Sequence, residues 1–326
     1  MMKSILTAGL VALFATGSAH AQDLLPLTAG VQESGTVQWE IETIKSLGLD
    51  KTHGLDLTVR PLADSRAGQI ALQAGAVDVI LSDFVWVSVQ RSDGNLVTMV
   101  PHSLTVGGLM TPADSAIADI ADLEGKTIGV AGGPADKSWI ILQAYFASKT
   151  GKTLSDVAEA RFGAPPLVNE LLGTGGVEAG LNFWQWNARA KAAGMTEFLT
   201  VKAMLADLGI TDPVSLLGWT FTDATAEAKH DAITRFLDAS FEAKQVLLTD
   251  DDAWDNLKTL MGAADDAALF TQLRDDYRAG IVTAYDPEDT APAEKTFALL
   301  AKFGGSDVVG ENQHLAPGTF WPGYRK

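Results

Sequence analysis

Cysteine is absent from the chain of 326 residues, and histidine occurs only five times. The first absence excludes a disulfide scaffold and a thiolate metal site. No two histidines have a metal-ligand spacing such as H-E-x-x-H, so no metal site is expected. Basic residues are also scarce, because Lys+Arg is 24 against Asp+Glu 41, a net charge of −17. Such a field repels phosphate backbones and anionic lipid headgroups, and we expect no nucleic-acid partner.

Motifs of common enzymes are missing as well. No G-x-S-x-G is present, which excludes a nucleophile elbow. The segment GVAGGPADKS (Gly129 to Ser138) is similar to a phosphate-binding loop, but Asp136 stands before Lys137 where that loop requires glycine. No set of nucleophile, base and orienting residue can be identified. We therefore expect a protein that is not an enzyme and that needs no cofactor.

The N-terminus carries the longest apolar run of the chain. Lys3 is followed by an apolar stretch from Ile5 to Ala15 and by Ala19-His20-Ala21. This pattern predicts a secretory signal peptide cleaved after Ala21. The alternative, a membrane anchor, needs about 20 apolar residues, and this run has roughly eleven. No cysteine follows that could carry a lipid anchor. We expect export to the periplasm.

Short apolar runs alternate with helical patterns through most of the chain. Leu27–Val31, Leu55–Leu62 and Val77–Asp83 predict strands of a first set of βα units, and Lys126–Val130 opens a second set. This alternation of strands and helices is typical of an α/β fold with mostly parallel strands. One further strand, Ser215–Phe221, precedes a helical tail. Its predicted helices are Ala224–Leu248, Asp252–Met261, Ala264–Ala279 and Pro292–Phe303.

Tryptophans occur where predicted strands pass into helices. These residues are Trp39, Trp86, Trp139, Trp184 and Trp186. Ligands bind at this edge of an open α/β sheet, where helix N-termini offer free N–H groups. At about 100° per residue, Trp39 lies roughly 150° from the apolar stripe of its helix, so we expect it to contact a ligand. Trp184 is also off its helix's stripe and is expected at the site, whereas Trp186 is expected in the core. For Trp86 and Trp139, core packing and ligand contact are both open.

Polar side chains share these edges. The candidates are Gln32, Ser34, Thr36, Asp64, Ser65, Arg66, Ser82, Asp83, Lys137, Ser138 and Asn182. Several of them, including Ser34, Thr36, Asp64, Ser65, Ser82 and Asn182, could equally serve as helix caps. Arg66 is the best candidate for a charged anchor, because its guanidinium matches a carboxylate or sulfonate. The alternative for Arg66 is an ordinary exposed position.

Four segments give the chain a family resemblance. They are GVQESGTVQWEIETIKSLGLDKTHGLDLTV, ALQAGAVDVILSDF, LEGKTIGVAGG and VEAGLNFWQWNARAKAAGM. In this order the chain resembles the nitrate/sulfonate/taurine-type (NitT/TauT) periplasmic substrate-binding proteins of ABC transporters. The resemblance implies a bilobed periplasmic-binding-protein fold of type II, in which two α/β lobes are hinged by two crossing strands and close on a ligand. It places the crossings near Leu104–Met110 and Ala203–Leu217. Lobe 1 would comprise residues 22–105 plus 212–326, with the helical C-terminal region packed on it, and lobe 2 residues 106–211.

The resemblance also implies a ligand site and partners. Its ligand loops would be Gln32–Trp39, Asp64–Arg66, Ser82–Trp86, Gly132–Trp139 and Asn182–Trp186. Nitrate is bound by N–H donors and does not require several indole rings. The tryptophans therefore favour an organic ligand, either a planar or aromatic molecule or one that bears a sulfonate or carboxylate group. NFWQWNARAKAAG is similar to a quinoprotein-associated subgroup, which implies pyrroloquinoline quinone or a related carboxylate as a candidate. Pyrimidine precursors of thiamine are another.

The expected function is therefore solute binding by a monomer that delivers its ligand to an ABC permease in the inner membrane. An alternative is an enzyme of pyrimidine or quinone-precursor chemistry on the same bilobed fold. A third is a sensor domain that feeds a signalling kinase.

Overall fold

The computed structural model describes residues 24–326. The predicted signal peptide and its cleavage point lie outside this range. Within it, no helix combines the length and the apolar character needed to cross a membrane.

Ten strands alternate with helices along the described chain. The strands are β1 Leu25–Gln32, β2 Leu55–Leu62, β3 Val79–Asp83, β4 Val97–Ser103, β5 Gly108–Thr111, β6 Thr127–Ala131, β7 Glu159–Gly163, β8 Ala179–Asn182, β9 Thr196–Thr200 and β10 Leu217–Thr222. The first nine helices are α1 Val37–Ser46, α2 Leu49–Thr52, α3 Ser65–Gln73, α4 Phe84–Ser92, α5 Lys137–Thr150, α6 Leu154–Val157, α7 Pro165–Thr174, α8 Trp184–Ala192 and α9 Val201–Asp207. The tail comprises α10 Asp223–Ala228, α11 His230–Thr249, α12 Ala267–Ala279, α13 Ala291–Gly304 and α14 Ser306–Val309. Short 3-10 helices span Ile120–Leu123 and Asp252–Leu257.

The strands form two sheets of the same design. The first has the order β2-β1-β3-β10-β4 and the second β7-β6-β8-β5-β9. In each, three neighbouring strands are parallel and the fourth is antiparallel to both its neighbours. That antiparallel strand, β10 or β5, is the first strand after the chain arrives from the other sheet. Two α/β units are thus joined by two crossings, 104–107 and 208–216, in the regions where the resemblance placed them.

The helical tail packs on both units. Helix α11 packs against α1 and β1 of the first unit, as the predicted packing on lobe 1 requires. The sequence did not indicate the other contacts, in which α12 packs against α8 and α13 against α5 of the second unit. One apolar core cluster accordingly includes Phe84 of the first unit, Phe146 of the second and Phe297 of the tail.

Two predicted tail helices differ from the structure. The helix predicted over Ala224–Leu248 is interrupted at Lys229, whose backbone leaves helical geometry. The Lys229 ammonium binds both carboxylate oxygens of Asp78 at 2.8 Å, which holds the break against β3. The helix predicted over Asp252–Met261 is a shorter 3-10 helix, Asp252–Leu257. Helix α9 was not predicted at all.

A buried polar cluster lies between α1, β4 and α11 of the first unit. Glu40 of α1, His102 of β4 and Lys244 of α11 are all at least 96% buried. Glu40 Oε2 lies 3.5 Å from His102 Nδ1 and 3.7 Å from Lys244 Nζ. Burial raises the pKa of the Glu40 carboxyl and lowers the pKa of the Lys244 ammonium, while each charge partly offsets the other's shift. Ser240 donates a hydrogen bond to Glu40 and accepts one from Trp219 of β10.

Candidate functional site

A cleft of about 370 Å3 lies between the two sheets. The first sheet contributes the ends of β1, β2 and β3, and the second contributes the loops that follow β6 and β8. Residues 105–107 and Leu216 of the two crossings complete the lining. Both units and both connections therefore form its walls, at the strand edge where α/β sheets bind ligands.

Three helices that begin at the cleft are capped by aspartate. Asp64 Oδ1 accepts a hydrogen bond from Ala67 N at 2.8 Å, and Asp83 Oδ1 accepts one from Trp86 N at 2.9 Å. Asp136 Oδ1 accepts from the N–H groups of Ser138 and Trp139 at 2.9 and 3.1 Å. These bonds satisfy N–H groups that a helix leaves free at its start and compensate its positive dipole end.

One lysine joins the two units across the cleft. Lys137, the first residue of α5, places Nζ 3.2 Å from Asp83 Oδ2 at the end of β3. Both side chains are partly exposed, Lys137 by 30% and Asp83 by 20%. Burial raises the pKa of the nearby Asp136 carboxyl to about 6, against the effect of its backbone hydrogen bonds and Lys137, and the Asp83 charge adds to the rise. The second wall of the cleft thus holds a carboxyl group that titrates near neutral pH.

Apolar and amide side chains complete the lining. Phe183 and Trp184 supply aromatic surface, and Phe84 beside them is fully buried. Trp184 packs edge-on against Trp39, with ring centroids 5.8 Å apart, so its orientation is fixed from behind. The wall formed by the first sheet carries two glutamine side chains. The Gln32 amide donates a hydrogen bond to Ser65 Oγ at 2.7 Å, and the Gln69 amide donates one to Ser82 Oγ at 3.4 Å.

The structure brings many of the predicted site residues together. Those that line the cleft are Gln32, Thr36, Asp64, Ser65, Ser82, Asp83, Lys137, Ser138 and Trp184. The predicted residues outside its lining are Ser34, Trp39, Arg66, Trp86, Trp139 and Asn182. Ser34 instead lines a small neighbouring pocket together with Trp39 and Trp186.

Trp39 and Trp139 are core residues, each only 3% exposed. Trp39 does point away from the core stripe of α1, as its spacing indicated, but Trp254 and Tyr277 of the tail cover it. Trp139 packs in the core of the second unit, edge-on against Phe162. Side chains of other elements cover both rings, so neither tryptophan lines the cleft in this structure.

The other three predicted residues are also positioned away from the cleft. Asn182 is 2% exposed, and its amide donates to Pro165 O and Asn169 Oδ1 at 2.9 Å. Arg66 is exposed on α3, which matches the alternative rather than the anchor prediction. Trp86 is partly buried and packs against the core.

Some lining residues were not predicted as ligand contacts. Gln69 follows Ser65 by one helical turn, so the spacing i, i+4 could have identified it. Asp136 falls within the expected ligand loop Gly132–Trp139 but was not singled out as a ligand contact, although Asp64 and Asp83 cap in the same way and were predicted at the site. Gly107 lies where the first crossing touches the end of β8, and a Cβ built there would lie 1.7 Å from Asn182 O. Nothing local in the sequence marks that contact.

The two similar units, the double crossing and the cleft between them constitute the periplasmic-binding-protein fold. The chain belongs to the NMT1/THI5-like family, whose model matches residues 45–253. Comparison with curated proteins gives no match.

Solved structures share this fold at low sequence identity. The chain is similar to the periplasmic aliphatic sulphonate binding protein SsuA from Escherichia coli, with a TM-score of 0.73, 16% identity and coverage of 91% of this chain and 92% of that chain. The alkanesulfonate-binding protein SsuA from Xanthomonas axonopodis pv. citri, bound to MOPS, gives 0.70 and 15%, with 92% and 99% covered. A desulfurization enzyme, DSZB, gives 0.60 and 15%, with 90% and 97% covered. At these identities the likeness establishes a shared fold.

Proposed function

We propose that the protein is the solute-binding component of an ABC importer and holds a small organic ligand in the cleft between its two units. The observation that carries this proposal is the composition of the cleft walls. Residues from both sheets and from both crossings face one space of about 370 Å3, which is within the usual range for small-molecule sites. A ligand there would touch both units at once, so binding would favour the closed arrangement.

The proposed lobes follow the two crossings. Lobe 1 would comprise residues 22–105 and 212–326, and lobe 2 residues 106–211. The ligand would lie against Phe183 and Trp184, with a flat or aliphatic body that suits aromatic surface. Its polar groups would meet Gln32, Ser82 and Lys137, which come from both sides of the cleft.

Location and partner follow from the same proposal. The predicted signal peptide supports export to the periplasm, and two of the similar structures are sulfonate-binding SsuA proteins, one of them described as periplasmic. The partner would be an ABC permease in the inner membrane, to which a monomer delivers the solute.

An enzyme is the second candidate, because the desulfurization enzyme DSZB has the same fold. The serines of the cleft do not favour it. Ser65 and Ser82 hydrogen-bond to the amides of Gln32 and Gln69, which cannot accept a proton from a nucleophile. Among the described residues, those that line the cleft include neither histidine nor cysteine.

Ligand recovery tests this proposal. The protein is isolated from its native host, its small molecules are extracted under denaturing conditions, and each is returned to the refolded protein while tryptophan fluorescence is followed. We expect one extracted molecule to bind, and the variant Trp184→Ala to bind it more weakly by about 1–3 kcal/mol. Trp186→Ala is the matched control, because Trp186 lies two residues further on α8 outside the cleft lining.

Mass spectrometry of the incubated mixture then separates the two candidates. An unchanged ligand mass supports a binding protein, whereas a product that accumulates with time would favour the enzyme. Equal affinity of Trp184→Ala and Trp186→Ala for the ligand would contradict a site in this cleft.

A further inference from the structure

The charged groups of the cleft are mostly acidic. Its lining contains three carboxylates, Asp64, Asp83 and Asp136, and one ammonium, Lys137. The ammonium is already engaged, because its Nζ lies 3.2 Å from Asp83 Oδ2. No arginine lines the cleft among the described residues, and Arg66, the anchor expected for a sulfonate or carboxylate, is exposed elsewhere on α3.

Three of the helix N-termini at the cleft carry a carboxylate. Helices α3, α4 and α5 all begin at the cleft, and in each an aspartate accepts a hydrogen bond from one or two N–H groups of the first turn. A full carboxylate charge outweighs the half charge of a helix end, so a sulfonate beside Asp64 or Asp136 would be repelled, whereas Lys137 offsets the charge of Asp83. Helices α1 and α8 also begin at the cleft and have no side-chain cap, so their first N–H groups remain open to a polar ligand atom.

Other lining groups suit an organic molecule with hydrogen-bond donors. Ser138 is only 9% exposed and lines the cleft, and no described residue hydrogen-bonds to its hydroxyl oxygen. Phe183 and Trp184 present ring surface, which attracts a cation as well as an apolar body. A bare metal ion does not fit, because the described residues contain no group of three or more His, Cys, Asp or Glu side chains placed to hold one.

We infer that the cleft selects a small organic cation, a protonated nitrogen on a flat or aliphatic body, over a sulfonate or carboxylate of the same shape. This inference rests on the proposed binding function and names the class of its ligand. The nitrogen would be held by Asp136 on one wall and by Asp83 on the other, where it would share Asp83 with Lys137, and the body would lie against Phe183 and Trp184. The net charge of −17 would also favour the approach of a cation.

Two matched series of probes test the charge preference on the exported protein. One has a phenyl body (benzylammonium, benzyl alcohol, benzenesulfonate), and the other an n-butyl body with the same three head groups. Dissociation constants are measured by calorimetry. We expect the ammonium member of at least one series to bind tenfold or more tightly than its sulfonate and its alcohol.

Aspartate-to-asparagine substitutions, which keep the helix caps, test which carboxylates bind the ammonium group. Asp83→Asn and Asp136→Asn preserve a side chain that caps a helix but remove its charge. Each should weaken ammonium binding about three- to tenfold, as a partly buried charge pair is expected to do. Asp266→Asn is the control, because Asp266 caps α12 through Leu269 N in the same way but lies outside the cleft lining.

The possible outcomes distinguish failure of the cation preference from failure of the proposed binding function. A sulfonate or alcohol that binds as tightly as the ammonium, and loses affinity in Trp184→Ala, would overturn the cation preference and leave the binding function standing. If no probe of either series bound in a manner sensitive to Trp184→Ala, the cation preference would be overturned, whereas the proposed function would stand or fall with the binding of the extracted ligand.

Discussion

Lys137 Nζ and Asp83 Oδ2 lie 3.2 Å apart, and this ion pair connects the start of α5 in one α/β unit to the end of β3 in the other. The pair spans the cleft from wall to wall. In the proposed opening of the cleft its two partners would separate, so the pair would stabilise the closed arrangement only.

Removal of this pair should shift the protein toward an open cleft. A partly exposed pair contributes about 0.5–1 kcal/mol, so we expect Lys137→Gln to raise the open-to-closed ratio about two- to fivefold. Energy transfer between dyes at Leu47→Cys and Lys202→Cys, both exposed positions on different units, measures the ratio. These labels are specific, because the natural chain contains no cysteine.

Lys149→Gln provides the control for that shift. Lys149 pairs with Asp207 at 2.9 Å, but α5 and α9 belong to the same unit. Its loss should leave the energy transfer unchanged. Equal transfer in the Lys137→Gln variant and the wild type would show that the cross-cleft pair does not influence closure.

Asp136 should make stability depend on pH. Its pKa is about 6 in the folded protein against 3.8 for an ordinary aspartate, so the folded state binds more protons than the unfolded state between these values. Its contribution to the free energy of unfolding is therefore fully present below about pH 3.8 and is lost as the pH rises through 6. Asp136→Asn, which keeps a capping side chain, should be more stable than the wild type at pH 7.5, by up to about 3 kcal/mol.

Urea unfolding at pH 7.5 and pH 4 checks this sign. The stability advantage of Asp136→Asn should shrink at the lower pH, where the wild-type carboxyl is protonated in the folded state. An advantage of equal size at both values would mean that the ionisation of Asp136 is not its source.

Removal of one charge from the buried pair of Glu40 and Lys244 should lower the free energy of unfolding. Glu40→Gln leaves the Lys244 ammonium 2% exposed without its counter-charge, and we expect a loss of about 3–5 kcal/mol in the free energy of unfolding. The double variant Glu40→Gln/Lys244→Met removes both charges and should recover at least half of that loss. Thermal unfolding monitored by circular dichroism compares the three proteins. A double variant less stable than Glu40→Gln alone would rule out the uncompensated ammonium as the cause.

Gly107 should tolerate no side chain. A Cβ at this position of the first crossing would lie 1.7 Å from Asn182 O, so either the crossing or β8 must move. We expect Gly107→Ala to lower the free energy of unfolding by about 3 kcal/mol or more, in the range of overpacking. Gly133→Ala is the control, because a Cβ there has no neighbour within 4 Å. Similar melting temperatures for the two variants would contradict the close contact.

Local patterns predicted the strands and helices that carry the cleft. The alternation of Leu55–Leu62 predicted the bounds of β2 as the structure has them, and Asp64, one of the possible caps, does cap α3. These features depend on neighbouring residues only. Because ligands bind where strands end and helices begin, residues such as Ser82 and Ser138 could be predicted to lie at the ligand-binding edge of their sheets.

Contacts between elements that are distant in sequence could not be predicted from such local patterns. The angular position of Trp39 on α1 was correct, but its cover, Trp254 and Tyr277, is more than 200 residues away in the chain. Arg66 has the right chemistry for an anion yet faces outward on α3, a direction that a three-residue motif does not determine. The contact of Gly107 with Asn182 depends on how the first crossing meets β8.

Hydrogen–deuterium exchange with and without the extracted ligand tests the central claim most directly. A ligand held between the two units should slow exchange at helix starts of both sheets, in α3 and α4 of the first and in α5 and α8 of the second. Protection confined to one unit, or located away from these four helices, would contradict a shared site in the cleft.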